Sequence, residues 1–134
     1  MSAKAGSERP PDSSLYVAIS NAIVGLLREY TGRGPTKART TLRDNLVVVL
    51  LEQTLTKGEQ VLVEKGRGEN VIMLRREYQE ALREEASAKV AEITGCHVVA
   101  MMSANHLDPD LAVELFVLDE PPKQRAPVAA IPEG

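Results

Sequence analysis

The sequence predicts a single-domain α+β fold: a four-stranded, largely antiparallel sheet with helices on one face, in the order α-β-β-α-α-β-β. Three observations carry this. Leu46-Val47-Val48-Val49-Leu50-Leu51 is β-branched and apolar at both parities, so it reads as a strand buried on both faces, at the centre of a sheet. Arg43-Asp44-Asn45 before it is turn chemistry, which makes residues 38–42 its hairpin partner. Thr56-Lys57-Gly58-Glu59 after it is a capping box: the Thr hydroxyl takes the N3 amide while Glu59 reaches back to the Thr amide.

Taken in order, residues 1–12 are small, polar and Pro-containing and read as a disordered lead-in to a domain spanning 13–119. Asp12 or Ser13 can cap a first helix, in which Leu15, Ile19, Ala22, Ile23, Leu26, Leu27 and Tyr30 recur at helical spacing; Gly32 ends it. Gly32-Arg33-Gly34-Pro35 leads into the hairpin. A short helix then runs from Thr56 to about Lys65 with Val61 and Leu62 inward, and Gly66-Arg67-Gly68 breaks it. The longest helix is expected over 69–94, with an apolar stripe of Val71, Leu74, Tyr78, Ala81 or Leu82, Ala88 and Ile93. Arg75, Arg76, Glu77, Glu80, Arg83, Glu84 and Glu85 are read as its solvated side, and Gly95 as its stop. Residues 96–103 read as a strand, 104–110 as a loop of turn formers, and 111–118 as a second strong strand. Residues 120–134 are Pro-rich and read as a disordered tail. A sheet of this size leaves a face or edge open, and a homodimer is a natural way to cover it.

Composition removes several classes of function. A net charge of −3 argues against nucleic acid as a partner, because such binding needs a basic footprint. With 3% aromatic residues and no Trp, the core must be built from Leu, Val, Ile and Ala. The one cysteine, Cys96, rules out an internal disulfide and fits a reducing compartment. No stretch approaches the ~18 apolar residues of a membrane span, and no apolar region follows the N-terminal Lys4, so the expected home is the cytoplasm.

The groups able to do chemistry are few. Arg33 and Gly34 with Lys37, Arg39 and Arg43 form a basic, glycine-containing patch that could bind an anion such as phosphate, a nucleotide or bicarbonate. It lacks P-loop spacing and leads into a strand, so a helix stop followed by a charge-guarded edge strand is the commoner use of such residues. Asn105, His106, Asp108 and Asp110 form a polar loop that could hold a ligand, although Asp-Pro-Asp is also ordinary turn chemistry. No His or Cys spacing calls for a metal, and no motif calls for a cofactor. Cys96 follows a helix end, where the dipole works against a thiolate. Glu114, alone in an apolar strand, is read as facing solvent or pairing with Arg39 or Arg43 across the sheet, or else as a perturbed acid.

One resemblance goes further. An amphipathic first helix, the GRGP stop, a strand NLVVVLLEQTLT running into Thr-Lys-Gly-Glu, a charged helix ending Ile93-Thr94-Gly95, the run SANHLDPD and the strand ELFVL occur in this order over about Leu15 to Asp119. Together they resemble the MpsC-like family, a small soluble component of a sodium-translocating, membrane-potential-generating system. The resemblance implies a non-enzymatic accessory or regulatory protein, peripheral to the inner membrane through integral membrane transporter subunits. It implies no catalytic residues. The alternative reading of the residues is a small-molecule or anion sensor, with a site between GRGP and the His106 loop.

Overall fold

The computed structural model describes residues 12–123. Along them run α1 (Asp12–Thr31), β1 (Lys37–Arg43), β2 (Leu46–Glu52), α2 (Lys57–Glu64), α3 (Gly68–Thr94), β3 (Val98–His106) and β4 (Leu111–Leu118). The expectations for residues 1–11 and 124–134 lie outside the described residues.

The four strands form one antiparallel sheet in the order β1-β2-β4-β3. The apolar run 46–51 occupies a central strand, as its two-sided hydrophobicity requires. Strand parity then fixes two faces. Rows Leu42–Val47–Phe116–Met101, Thr40–Val49–Glu114–Ser103 and Ala38–Leu51–Ala112–Asn105 lie on one face, beneath the helices. Helix α1 packs over β1 and α3 over β3, and the two helices pack on each other. Helix α1 sends Leu15, Ile19, Ile23 and Leu26 into the core, where each buried side chain contributes about 1.5–3 kcal/mol. Phe116, the one Phe, is wholly buried at the core's centre. The Tyr16 hydroxyl donates to the Leu42 carbonyl at 3.1 Å, and Ser20 Oγ lies 2.7 Å from Thr40 Oγ1, which ties α1 to β1.

The capping box at α2 forms as read: Thr56 Oγ1 accepts the Glu59 amide at 3.1 Å, and Glu59 Oε1 accepts the Thr56 amide at 2.8 Å. Helix α3 stops where Gly95 takes φ 74°, a left-handed cap whose amide reaches Ala91 O at 2.8 Å.

Four expectations are corrected. The strand placed at 96–103 runs instead from Val98 to His106, because pairing with β4 extends through Ser103, Ala104, Asn105 and His106; the turn shortens to 107–110. The buried stripe of α3 is Val71, Arg75, Gln79, Leu82, Ala86, Val90 and Thr94, while Leu74 and Ala88 are exposed. Polar side chains occupy the stripe where the helix crosses the sheet's polar row and the start of α2. Val61, read as inward, is 49% exposed. Glu114 neither faces solvent nor reaches Arg39 or Arg43: it lies on the helix-facing side, 1% exposed, whereas Arg39 and Arg43 lie on the opposite face.

Candidate functional site

After β2 the chain must turn into α2 across the interior. Gln53 takes φ 57°, and Thr54 and Leu55 are buried. The backbone groups of the two buried residues therefore need partners from elsewhere in the chain, and exposed Gln53 shares those partners. Arg33, from the GRGP segment, donates through Nη1 to Gln53 O at 2.6 Å and Leu55 O at 3.1 Å. Asp110, from the β3–β4 turn, accepts the Thr54 hydroxyl and the Leu55 amide, both at 2.9 Å, while its own carbonyl accepts the Gln53 amide at 3.1 Å. Arg75, from α3, donates to Thr54 O at 2.6 Å and Thr54 Oγ1 at 2.8 Å, and to Glu59 Oε1 at 2.8 Å and Oε2 at 3.3 Å. Three remote segments thus converge on one turn. The Thr54 hydroxyl stands between Arg75, whose N–H it accepts, and Asp110, to which it donates.

Outside this knot the surface opens into a cleft of about 510 Å³. Leu55, Val63 and Leu107 supply its apolar lining, and Arg33, Glu64, Asp108 and Asp110 its charges. Leu107 lies close to the start of α3: a Cβ built on Gly68 would sit 2.6 Å from Leu107 Cδ1. Only glycine allows this approach without displacing the leucine.

The residues singled out from sequence are distributed over three places. Arg33, Asp108 and Asp110 meet at the cleft. Gly34 lies against α1, where an added Cβ would come 3.2 Å from Val24 and Arg28 side-chain atoms. Lys37, Arg39 and Arg43 stand in a column on the exposed face of edge strand β1, and Arg39 Nη2 meets Glu52 Oε2 at 3.3 Å. Asn105 turns under α3 to exchange hydrogen bonds with Gln79, at 3.0 and 3.1 Å. His106 lies one residue on and therefore on the other face, its Nδ1 2.8 Å from the Pro109 carbonyl oxygen.

A second buried cluster surrounds Glu114. The Ser103 hydroxyl donates to one carboxylate oxygen, and Gln79 Nε2 lies 3.4 Å from the other. Burial pushes the Glu114 carboxyl up to about 7, against the opposing effect of those two hydrogen bonds and of Arg83 and Arg75 on α3. Neither arginine bonds to it: Arg75 is taken by Glu59 and Thr54, and Arg83 by the Met101 carbonyl at 2.8 Å. Cys96 is buried, and burial raises its thiol pKa, as a structural cysteine requires.

Sequence reading missed Arg75 and Gln79. The signal was present in their spacing: Val71, Arg75, Gln79 and Leu82 fall on one helical stripe, so two polar residues had to share the buried side with two apolar ones.

The family model described as "Na+-translocating membrane potential-generating system (MpsC)" matches residues 12–120, nearly the whole described chain. No curated protein and no solved structure matches the chain.

Proposed function

The chain belongs to the MpsC family, and on that premise we propose that it is a non-enzymatic accessory component of the Na+-translocating, membrane-potential-generating system for which the family is named. The family match over 12–120 carries this reading. Two structural facts support it. Among the described residues no helix is long and apolar enough to cross a membrane; in this reading the ion path belongs to other chains, and this one sits peripherally on the cytoplasmic side of the inner membrane. The groups best suited to chemistry are also committed to the fold: Arg75, Arg33 and Asp110 hold the 53–55 turn, and Glu114 is closed off beneath α3. Val61, Met73 and Leu74, exposed apolar side chains on α2 and α3, offer contact points to a membrane-embedded partner.

The test is capture of the tagged full chain from gently solubilised membranes of its source, with mass spectrometry of what co-purifies. Stoichiometric recovery of an integral membrane transporter, weakened by Met73→Glu with Leu74→Glu, is the expected result. Recovery of the chain alone overturns the reading.

One observation favours a second reading, a small-molecule or anion sensor. The GRGP segment and the Asp108–Asp110 turn, remote in sequence, meet at the 510 Å³ cleft. A ligand held there raises the melting temperature in proportion to RT ln(1 + [L]/Kd). A screen of phosphate, bicarbonate, nucleotides and divalent cations that leaves the melting curve unmoved removes this reading.

A further inference from the structure

The sheet has a second face that no described helix covers. Its rows, by register, are Arg43–Leu46–Val117–Ala100, Thr41–Val48–Leu115–Met102, Arg39–Leu50–Val113–Ala104 and, at one end, the polar row Lys37–Glu52–Leu111–His106. In the first three rows the nine residues from β2, β4 and β3 form an uncharged apolar block. Met102 in that block is 53% exposed. The block spans three strands about 4.8 Å apart and about five residues long, roughly 250 Å² of apolar sheet, and β1 with its basic column brings the whole face to roughly 450 Å².

We propose that a second copy of this chain covers this face, forming a two-fold sandwich whose axis runs parallel to the strands. Area, shape and charge agree. Two such faces together approach the ~1,000 Å² that a specific interface needs. A two-fold axis along the strands stacks β1 of one copy over β3 of its partner, row on row within the ~30° twist of packed sheets. Arg43 then lies over Ala100, Arg39 over Ala104, and Thr41 over Met102: the long side chains of one edge meet the small ones of the other, and the aliphatic centres meet each other. The perpendicular axis would instead stack β1 on β1, bringing Lys37, Arg39 and Arg43 against their own copies. Strand β3 has no charged residue from Val98 to Asn105, so it receives Arg43 and Arg39 without repulsion, while Lys37 falls over His106 beside Glu52. This inference is independent of the accessory role and of any membrane partner.

Sedimentation equilibrium of the full chain tests it. The expected mass is twice 14.6 kDa. Met102→Glu, on a side chain already half exposed, and Val48→Lys should each reduce the mass to that of the monomer while leaving the far-UV circular dichroism unchanged. A monomer at up to about 100 μM overturns the proposal, as does a dimer that survives both substitutions. A monomer that gains mass only with an added vesicle or membrane protein gives the face to that partner, and also overturns it. The axis has its own test. Thr41→Cys copies mixed with Met102→Cys copies should join through a short bis-maleimide. Thr41→Cys copies alone should not, because their thiols lie about 14 Å or more apart across the sheet. Joining of the Thr41→Cys copies alone overturns the assigned axis. Cys96, 6% exposed, is a poor competitor for the reagent.

Discussion

Arg75 of α3 grips Glu59 of α2 with two N–H groups, at 2.8 and 3.3 Å, and both side chains are buried to within about a tenth of their surface. Glu59 is also the capping-box residue of α2, so one carboxylate serves the helix start and the link between helices. Removal of the arginine leaves a buried carboxylate without its cation. Arg75→Ala is expected to cost about 3–5 kcal/mol of unfolding free energy, a large part of the stability of a domain this size. Arg75→Lys should recover only part of it, because an ammonium cannot span Glu59 and both Thr54 oxygens at once. Urea unfolding of the three proteins checks this; a loss for Arg75→Ala under about 1 kcal/mol contradicts the buried pair.

Glu114 makes stability depend on pH. Its carboxyl is raised to about 7 in the folded chain, from 4.5 for an ordinary glutamate. Between those values the folded state holds a proton that the unfolded state has released, so stability falls as pH rises. The stabilisation is fully present below about pH 4.5 and lost through pH 7, with a total on the order of 3 kcal/mol. Glu114→Gln keeps the size and the hydrogen-bonding capacity and loses the titration. It should match the parent near pH 5, exceed its stability at pH 8, and flatten the dependence across this window. Denaturant midpoints at half-unit pH steps measure it; parallel profiles for the two proteins would mean that Glu114 is ionised throughout.

Where local chemistry decides, the chain was readable. The Thr56–Glu59 capping box, the Gly95 stop and the central place of 46–51 each depend on residues a few positions apart, and each formed as its local rule requires. Where the partner is remote, the same rules misled. Arg75 reads as a solvated helix residue, and Gln79 does not stand out, because nothing within a few positions bonds them; their partners, Thr54 and Asn105, are 21 and 26 residues away. The reading of Glu114 as solvent-facing or paired with Arg39 or Arg43 fails, while its alternative, a perturbed acid, stands; the strand is apolar at both parities, which removes the alternation that tells inside from outside. The meeting of Arg33 with Asp110 at one turn depends on β2 pairing with β4, a strand order that the two hairpins alone leave open.

The close approach of Gly68 to Leu107 gives a coupled prediction. An alanine Cβ would meet Leu107 Cδ1 at 2.6 Å, so the leucine must shift toward the cleft it lines. Leu107 Cδ1 is the tip of a flexible, half-buried side chain that yields at small cost, so Gly68→Ala should destabilise by less than about 1 kcal/mol, with alanine's better helix propensity opposing the loss. In a Leu107→Ala background the same substitution meets no side chain, and its effect should become neutral or favourable. A double-mutant cycle by thermal unfolding reads the coupling directly. Additive effects would place the two residues out of contact.

Asp110 gives the last prediction, and it separates the turn's chemistry from its shape. Its two carboxylate oxygens accept the Thr54 hydroxyl and the Leu55 amide, each at 2.9 Å, and the hydroxyl is itself polarised by the Arg75 N–H it accepts. Asp110→Asn retains one acceptor and turns an amide toward the other donor, so one of the two bonds survives. Asp110→Ala loses both and leaves the buried Leu55 N–H unsatisfied. The expected order is parent, Asn, Ala, with the Ala variant down by about 2–4 kcal/mol and the Asn variant by about half as much. The β3–β4 hairpin should remain intact in both, because its ladder is formed by backbone groups. Hydrogen exchange distinguishes a local loss from a global one: faster exchange at Leu55 and the start of α2, with β4 still protected, is the expected pattern. Equal acceleration in β4 would mean that Asp110 holds the whole sheet and not this turn.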